Sequence, residues 1–276
     1  MNENTLEIAA LGWFEALGCE VRRGADISPG GDEPLRQDYG QVVLEPRLRA
    51  ALRAINGHLP ADAIEHAVRV VTRPPEPTLA QNNRWFHRLL TDGIDVEYRT
   101  TDGDARGDKA WLVDFSKPER NDFLVANQFT VKCGNFTRRA DVVVFLNGLP
   151  VAVFELKDPT DEQADVWKAF RQLQDYKEHV PALFTYNELL VISDGDTTRV
   201  GSLTAGADRF SPWRSVEDYR EPGLPSLETL VKELFEPNAL LDYVRRCVTF
   251  EEDERTGEIV KKVAGYHQFR AVRNAR

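Results

Sequence analysis

Cysteine is nearly absent from this sequence. Cys19, Cys133 and Cys247 are odd in number, far apart and free of any C-x-x-C spacing. That argues against a disulfide framework and a cysteine zinc site, and points to a reducing compartment, the cytoplasm. Long apolar runs are missing too. The longest near the middle spans residues 142–146, far short of the roughly 20 residues a membrane helix needs, so no membrane partner is expected. The opening Met-Asn-Glu-Asn-Thr has neither the basic nor the apolar region of a signal peptide. Positive charge is in deficit: 35 Lys and Arg against 45 Asp and Glu give a net charge of −10. Such a chain is no sequence-independent DNA coat, because phosphate binding needs local positive charge. A basic stripe around an acidic metal site remains compatible with that balance.

What is present is enough for a packed domain. Of the 276 residues, 42% are hydrophobic and 29% charged, a soluble globular balance. Residues 5–18 read as an amphipathic helix with Thr5 as cap and Gly18 as stop. Residues 24–40 are rich in Gly, Pro and Asp and read as loop. Two helical stretches follow over 44–72, and after a Pro-rich break a third over 78–90, capped by Thr78. The pattern then turns to strands, at 96–98, 111–115 and 123–131. Two apolar runs, 142–146 and 151–156, flank Asn147-Gly148-Leu149-Pro150 and suggest strands covered on both sides. A helix over 165–180, short strands at 182–184 and 189–193, and a helix over 226–235 complete the reading, with a turn in the acidic stretch 251–258.

The charged residues of the apolar hairpin carry the chemistry. Asp141 begins its first run, and Glu155 and Lys157 end the second. Buried charge must be compensated, because an unpaired one costs several kcal/mol. A three-residue loop at 147–149 would set Asp141 opposite Glu155, with Lys157 on the same face. A two-residue Asn-Gly loop would set Asp141 opposite Phe154 instead, unless a bulge restored the parity. Two carboxylates so close repel unless a cation lies between them, and oxygen-only ligands suit Mg²⁺ or Mn²⁺ rather than zinc. With an ammonium alongside, these are parts for phosphodiester hydrolysis without a covalent intermediate. The bland alternative is a salt bridge at a strand end. His58, His66, His87, His179 and His267 show no metal-ligand spacing and read as structural or exposed.

Asp141, the apolar hairpin and Glu155-Leu156-Lys157 resemble the PD-(D/E)xK nuclease signature, with Ala140 where the signature usually has Pro. Gln172-Leu-Gln-Asp-Tyr176 looks like the Q-x-x-x-Y motif that follows it in a subset of these nucleases. The phrases NDFLVANQFTV, VVVFLNGLPVAVFELKDPTDE and LFTYNELLVISDG resemble the N-terminal part of the restriction (R) subunit of type I restriction–modification enzymes.

The resemblance implies a restriction-endonuclease-like α/β fold: a mixed sheet flanked by helices, with a helical insertion at about 44–90. It implies a nuclease domain over 1–220, then a linker and the start of a superfamily 2 motor over 221–276. Asp141 and Glu155 would bind Mg²⁺ and Lys157 would be catalytic. Glu7 in the first helix would complete the metal site, with Glu15 as fallback. Gln172, Tyr176 and Lys168 share a helix face that would contact DNA or support the site, and Arg138, Arg139 and Arg171 would add positive charge. Gly265-Tyr-His-Gln268-Phe resembles the adenine-reading motif of the motor, with Gln268 as reader. No phosphate-cradling G-x-x-x-x-G-K-[ST] loop accompanies it, so ATP would act only in the full-length motor subunit. The implied partners are double-stranded DNA and the modification (methyltransferase) and specificity subunits. The implied activity is endonucleolytic cleavage of that DNA. Two rivals stand beside it: a non-cleaving docking module joining the motor to partner subunits, and a stand-alone repair-type nuclease of the same fold.

Overall fold

A computed structural model of the chain describes residues 3–100, 102–158, 166–214 and 226–275. The first helix, α1 (Glu3–Ala16), buries Leu6, Ala10 and Phe14, which recur at four-residue steps. It begins two residues ahead of the expected Thr5 cap. Gly18 follows it with φ of +85°, the left-handed conformation that glycine tolerates after a helix end. β1 (Glu20–Arg23) leads into the expected loop. Arg36 pins that loop: its buried guanidinium donates to Ser28 Oγ at 3.0 Å, Gln41 O at 3.2 Å and Thr130 O at 2.7 Å, and it lies 3.9 Å from the Phe129 ring centroid.

Three amphipathic helices follow, α2 (Glu45–Ile55), α3 (Ala61–Val71) and α4 (Leu79–Asp92). Thr78 caps α4, its hydroxyl accepting from Gln81 N at 3.3 Å. The hairpin of β2 (Ile94–Arg99) and β3 (Ala105–Ala110) comes next. The strand expected at 111–115 does not form. Trp111 N and O bond to the Asn56 side chain at 2.7 and 2.9 Å, and Asp114 Oδ1 accepts from the backbone of Ser116 and Lys117 at 3.0 Å each. Side chains take backbone groups that a ladder would need.

The central sheet adds β4 (Phe123–Cys133), β5 (Phe136–Leu146), β6 (Leu149–Leu156), β7 (Leu189–Ser193), β8 (Thr198–Gly201) and β9 (Ser211–Pro212), with α5 (Val166–His179) between β6 and β7. Its order is β1-β4-β5-β6-β7-β8-β9. The β1/β4 and β6/β7 pairs are parallel and the others antiparallel. Every residue of β6 is buried, as a strand covered on both faces requires. One cover is α1 with α6 (Ser226–Leu234) and the residue that follows it: the rings of Phe14 on α1 and Phe235 just past α6 lie 5.7 and 5.0 Å from that of Phe154. The other is α5. Residues 182–184, expected as a strand, belong to a 3₁₀ turn, Pro181–Phe184. Proline opens it without a backbone donor, and Leu183 N bonds locally to Val180 O at 3.1 Å. Asp165, the PTDE part of the hairpin phrase and the Pro-rich stretch at 221–225 lie outside the described residues.

Beyond α6 come α7 (Pro237–Arg246), the hairpin of β10 (Val248–Glu252) and β11 (Ile259–Val263), and α8 (Tyr266–Asn274). The acidic stretch forms the hairpin tip, where Asp253 Oδ1 accepts from Thr256 N at 2.8 Å. Lys261 on β11 is buried. Its Nζ donates to Glu188 Oε2 at 3.1 Å, Asn187 O at 2.7 Å and Asn83 Oδ1 at 3.0 Å. His87 Nδ1 lies 3.0 Å from the same Glu188 oxygen. Burial pushes the Glu188 carboxyl up, but Lys261 and His87 outweigh it and hold it below its ordinary range. The cluster ties α4, the residues before β7 and the C-terminal hairpin together. The whole is a mixed α/β fold of the restriction-endonuclease-like kind, a seven-stranded mixed sheet between helices. Among the described residues, no helix is long and apolar enough to cross a membrane.

Candidate active site

The β5–β6 hairpin turns on Asn147 and Gly148, with φ of +53° and +78°, the pattern of a two-residue turn for which Asn-Gly is suited. Leu146 therefore pairs with Leu149, and the expected three-residue loop is absent. Taken alone, that register would set Asp141 opposite Phe154. The ladder then shifts: Phe145 pairs with Pro150 but Val144 with Ala152, so Val151 is the extra residue of a bulge. Val142 pairs with Phe154, and one more step sets Asp141 opposite Glu155. The bulge, not the loop, restores the parity. Asn147 is buried and anchors the turn: its amide donates to Leu112 O at 2.8 Å, and its Oδ1 accepts from Asp122 N at 2.7 Å.

At the open end of this hairpin three charged side chains are almost fully buried: Asp141, Glu155 and Lys157 are 6%, 0% and 5% exposed. Asp141 Oδ2 accepts from the backbone of Leu156 at 2.8 Å. Lys157 Nζ donates to Glu155 Oε1 at 2.7 Å and to Leu156 O at 2.8 Å. Glu155 Oε2 is buried with no hydrogen-bond partner. Burial pushes the Asp141 carboxyl up to about 6, against the pull of Leu156 N and Lys157. Burial and then the Asp141 charge raise Glu155 well above its ordinary range. One lysine therefore does not neutralise the two acids.

The helices bring further groups to this end. From α5, Tyr176 Oη accepts from Gln172 Nε2 at 2.6 Å and donates to Arg139 O at 3.0 Å. Burial, then the nearby Glu155 and Asp141 charges, push this phenol above its ordinary range. The pair thus braces the β5 backbone two residues before Asp141, while Lys168 is exposed one turn earlier on α5. On α1, Glu7 is buried, and its two oxygens accept from the amides of Asn127 and Gln128. Glu15 is exposed. The α1 carboxylate whose charge acts on Asp141 is that of Glu3. A cleft of about 410 Å³ is lined by Glu3, Arg138, Arg139, Asp141, Gln172 and Tyr176, among others. Among the described residues, no three His, Cys, Asp or Glu side chains form a metal-binding group. Glu3, Asn127 and Gln128 escaped the reading of the sequence. The one signal was the polar Asn-Gln pair inside an apolar strand.

A family profile described as "Type I restriction enzyme R protein N terminus" matches residues 1–209. The chain belongs to this family. It is 38% identical over 280 residues to the type I restriction enzyme HindI endonuclease subunit of Haemophilus influenzae, covering 100% of this chain and 26% of that protein. It is 30% identical over 298 residues to a putative type I restriction enzyme MjaIXP endonuclease subunit of Methanocaldococcus jannaschii, covering 100% and 27%. This R-protein N-terminal chain spans about a quarter of the length of those relatives.

The donor set of the R-protein site suits a hard divalent cation. Two buried carboxylates with raised pKa, one of them with an unpartnered oxygen, are only partly compensated by the single Lys157 charge. Mg²⁺ is held through one or two carboxylates and completes its shell with water and phosphate oxygen. At the other end of the R-protein chain, Gln268 is exposed on α8, and its Oε1 accepts from Gly265 N at 2.9 Å.

Proposed function

We propose that this chain is the nuclease domain of a type I restriction enzyme R subunit. On this reading it hydrolyses phosphodiester bonds of double-stranded DNA by the PD-(D/E)xK mechanism, with Mg²⁺ as cofactor. It would work in the cytoplasm with modification and specificity subunits, and ATP would act only through the full-length motor subunit. The observation that carries the reading is the undercompensated Asp141–Glu155 pair with Lys157 Nζ bonded between Glu155 Oε1 and Leu156 O. The names of the relatives, endonuclease subunits, support it.

Asp141 and Glu155 would hold the cation, and Glu7, bonded to the amides of Asn127 and Gln128, would complete the metal site. When bound, the ion supplies Lewis acidity, drawing charge from a phosphate oxygen and acidifying water. Lys157 carries an ammonium aimed by two acceptors, and it stabilises the negative charge that grows on the phosphate in the transition state. Leu156 N fixes the rotamer of Asp141. Gln172 and Tyr176 hold the strand on which Asp141 sits, and Lys168, exposed on the same helix, would contact the DNA.

The test is plasmid nicking with Mg²⁺ by wild type, Asp141→Ala and Lys157→Ala, alone and in the reconstituted complex. Loss of nicking in both variants, with assembly intact, is the expected result. Unchanged nicking in Asp141→Ala would favour the docking module instead.

A further inference from the structure

The β4–β5 ribbon outruns its neighbours in the sheet. β1 pairs only with residues 124–127 of β4. The β5–β6 ladder ends at Val142 and Phe154. Past that level the ribbon continues alone from Phe129↔Ala140 to Cys133↔Phe136, a projection of about 15 Å at the usual rise per residue. It is braced rather than loose. Lys132 N donates to Tyr39 O at 3.0 Å. Arg138 makes a two-pronged contact with Asp175 of α5. The Phe136 ring packs against that of His179, with centroids 4.1 Å apart and planes tilted by 53°.

Its surface differs from the rest of the chain. Residues 132–137 are all exposed. Phe136 is 46% exposed, among the few large apolar side chains so open to solvent. In a chain of net charge −10, residues 123–140 contain Lys132, Arg138 and Arg139 and no Asp or Glu. Lys132 and Arg139 have no carboxylate partner among the described residues. Thr137, Arg139 and Asp141 alternate along one strand face and line the same cleft. The projecting edge is therefore continuous with the candidate active site.

We infer that this ribbon is a duplex-DNA contact element, with Lys132 and Arg139 on backbone phosphates and the Phe136 ring against a groove wall. A two-stranded ribbon has the width that the major groove admits. Exposed cations beside a phosphodiester-cleaving site complement the backbone that must cross it. The inference rests on the DNA-cleaving reading of the site and adds the surface that presents the duplex to it.

The experiment is fluorescence anisotropy of a labelled duplex with the 276-residue chain in EDTA, so that binding is read without hydrolysis. The Lys132→Ala/Arg139→Ala double variant should bind about tenfold more weakly, with a salt slope shallower by about two. Phe136→Ala should weaken binding at an unchanged slope. Lys262→Ala, on β11, serves as the charge control and should bind as wild type, and thermal melts confirm folding. Three results overturn the inference. Wild type fails to bind at low salt; the double variant binds within about twofold of wild type; or the variants keep DNA affinity and lose the modification and specificity subunits instead. Asp141→Ala separates this inference from the nuclease reading. If it abolishes nicking while the ribbon variants bind normally, the ribbon fails and the nuclease stands. If it nicks normally while the ribbon variants lose DNA, the nuclease fails and the ribbon stands.

Discussion

The backbone N–H of Leu156 reaches across the β5–β6 pair to Asp141 Oδ2 at 2.8 Å. The strand that carries Glu155 and Lys157 thereby fixes the carboxylate of its neighbour. Geometry and charge are coupled here: the same register that aligns the two acids sets the Asp141 charge close enough to raise the cost of ionising Glu155.

That cost gives a pH dependence with a definite sign. The Asp141 carboxyl titrates at about 6 in the folded chain, raised mainly by burial from its ordinary 3.8. The folded state therefore holds this proton more tightly than the unfolded state does. The resulting stabilisation is full below pH about 4 and is lost as pH rises through about 6. Asp141→Asn keeps an acceptor for Leu156 N and abolishes the titration. In EDTA, the variant should be more stable than wild type at pH 7.5 by up to about 2–3 kcal/mol, and the difference should vanish near pH 4. Melts at both pH values check it. A metal ion held by the pair should close the same gap, so added Mg²⁺ should raise the melting temperature of wild type more than that of Asp141→Asn.

The turn that sets the register should be intolerant of a methyl group. Gly148 has φ of +78°, and a Cβ there would lie 2.6 Å from Leu44 O and 2.8 Å from Leu48 N, both backbone. Gly134 has φ of +54° with nothing within 4 Å. Gly134→Ala should cost about 1 kcal/mol, the conformational penalty alone. Gly148→Ala should cost at least about 2 kcal/mol more, because α2 must move. Urea denaturation of both variants checks the contrast.

The layout of the site was legible in the sequence, because a charged residue inside a β-branched run shows up on one strand alone. Asp141, Glu155 and Lys157 needed no distant partner to be noticed. The device that aligns them was not legible: Asn-Gly calls for a two-residue turn, and the bulge at Val151 is one valine among many. The α1 acids failed in a different way. Glu3, Glu7 and Glu15 occupy one helix, and only its docking angle decides that Glu7 meets Asn127 and Gln128 while Glu3 faces Asp141. Residues 111–115 look like a strand because aromatic and branched residues cluster there. The Asn56 and Asp114 side chains that claim their backbone act through partners that pattern reading does not weigh.

Tyr176 should matter through the strand it braces. Tyr176→Phe leaves Gln172 Nε2 and Arg139 O without their partner, which costs about 1–2 kcal/mol. Nicking in the reconstituted complex should fall by about tenfold or less, against its loss in Lys157→Ala. An effect as large as that of Lys157→Ala would mean that the phenol takes part in the chemistry directly.

The buried Lys261–Glu188–His87 cluster should be the most sensitive spot outside the site. Glu188 is fully enclosed, with Oε2 shared by Lys261 and His87 and Oε1 without a hydrogen-bond partner. Removing Lys261 leaves a carboxylate with half its compensation in a medium that penalises bare charge. Lys261→Ala should therefore destabilise the chain by about 3–5 kcal/mol. Removing both charges is a different case, because a well-packed apolar pair avoids the desolvation that the ion pair must overcome. Lys261→Met with Glu188→Leu should recover much of the loss. Chemical denaturation of the single and double variants measures the coupling. If the double variant is no more stable than Lys261→Ala, then hydrogen bonds to Asn83 and Asn187, not charge compensation, hold the C-terminal hairpin to the sheet.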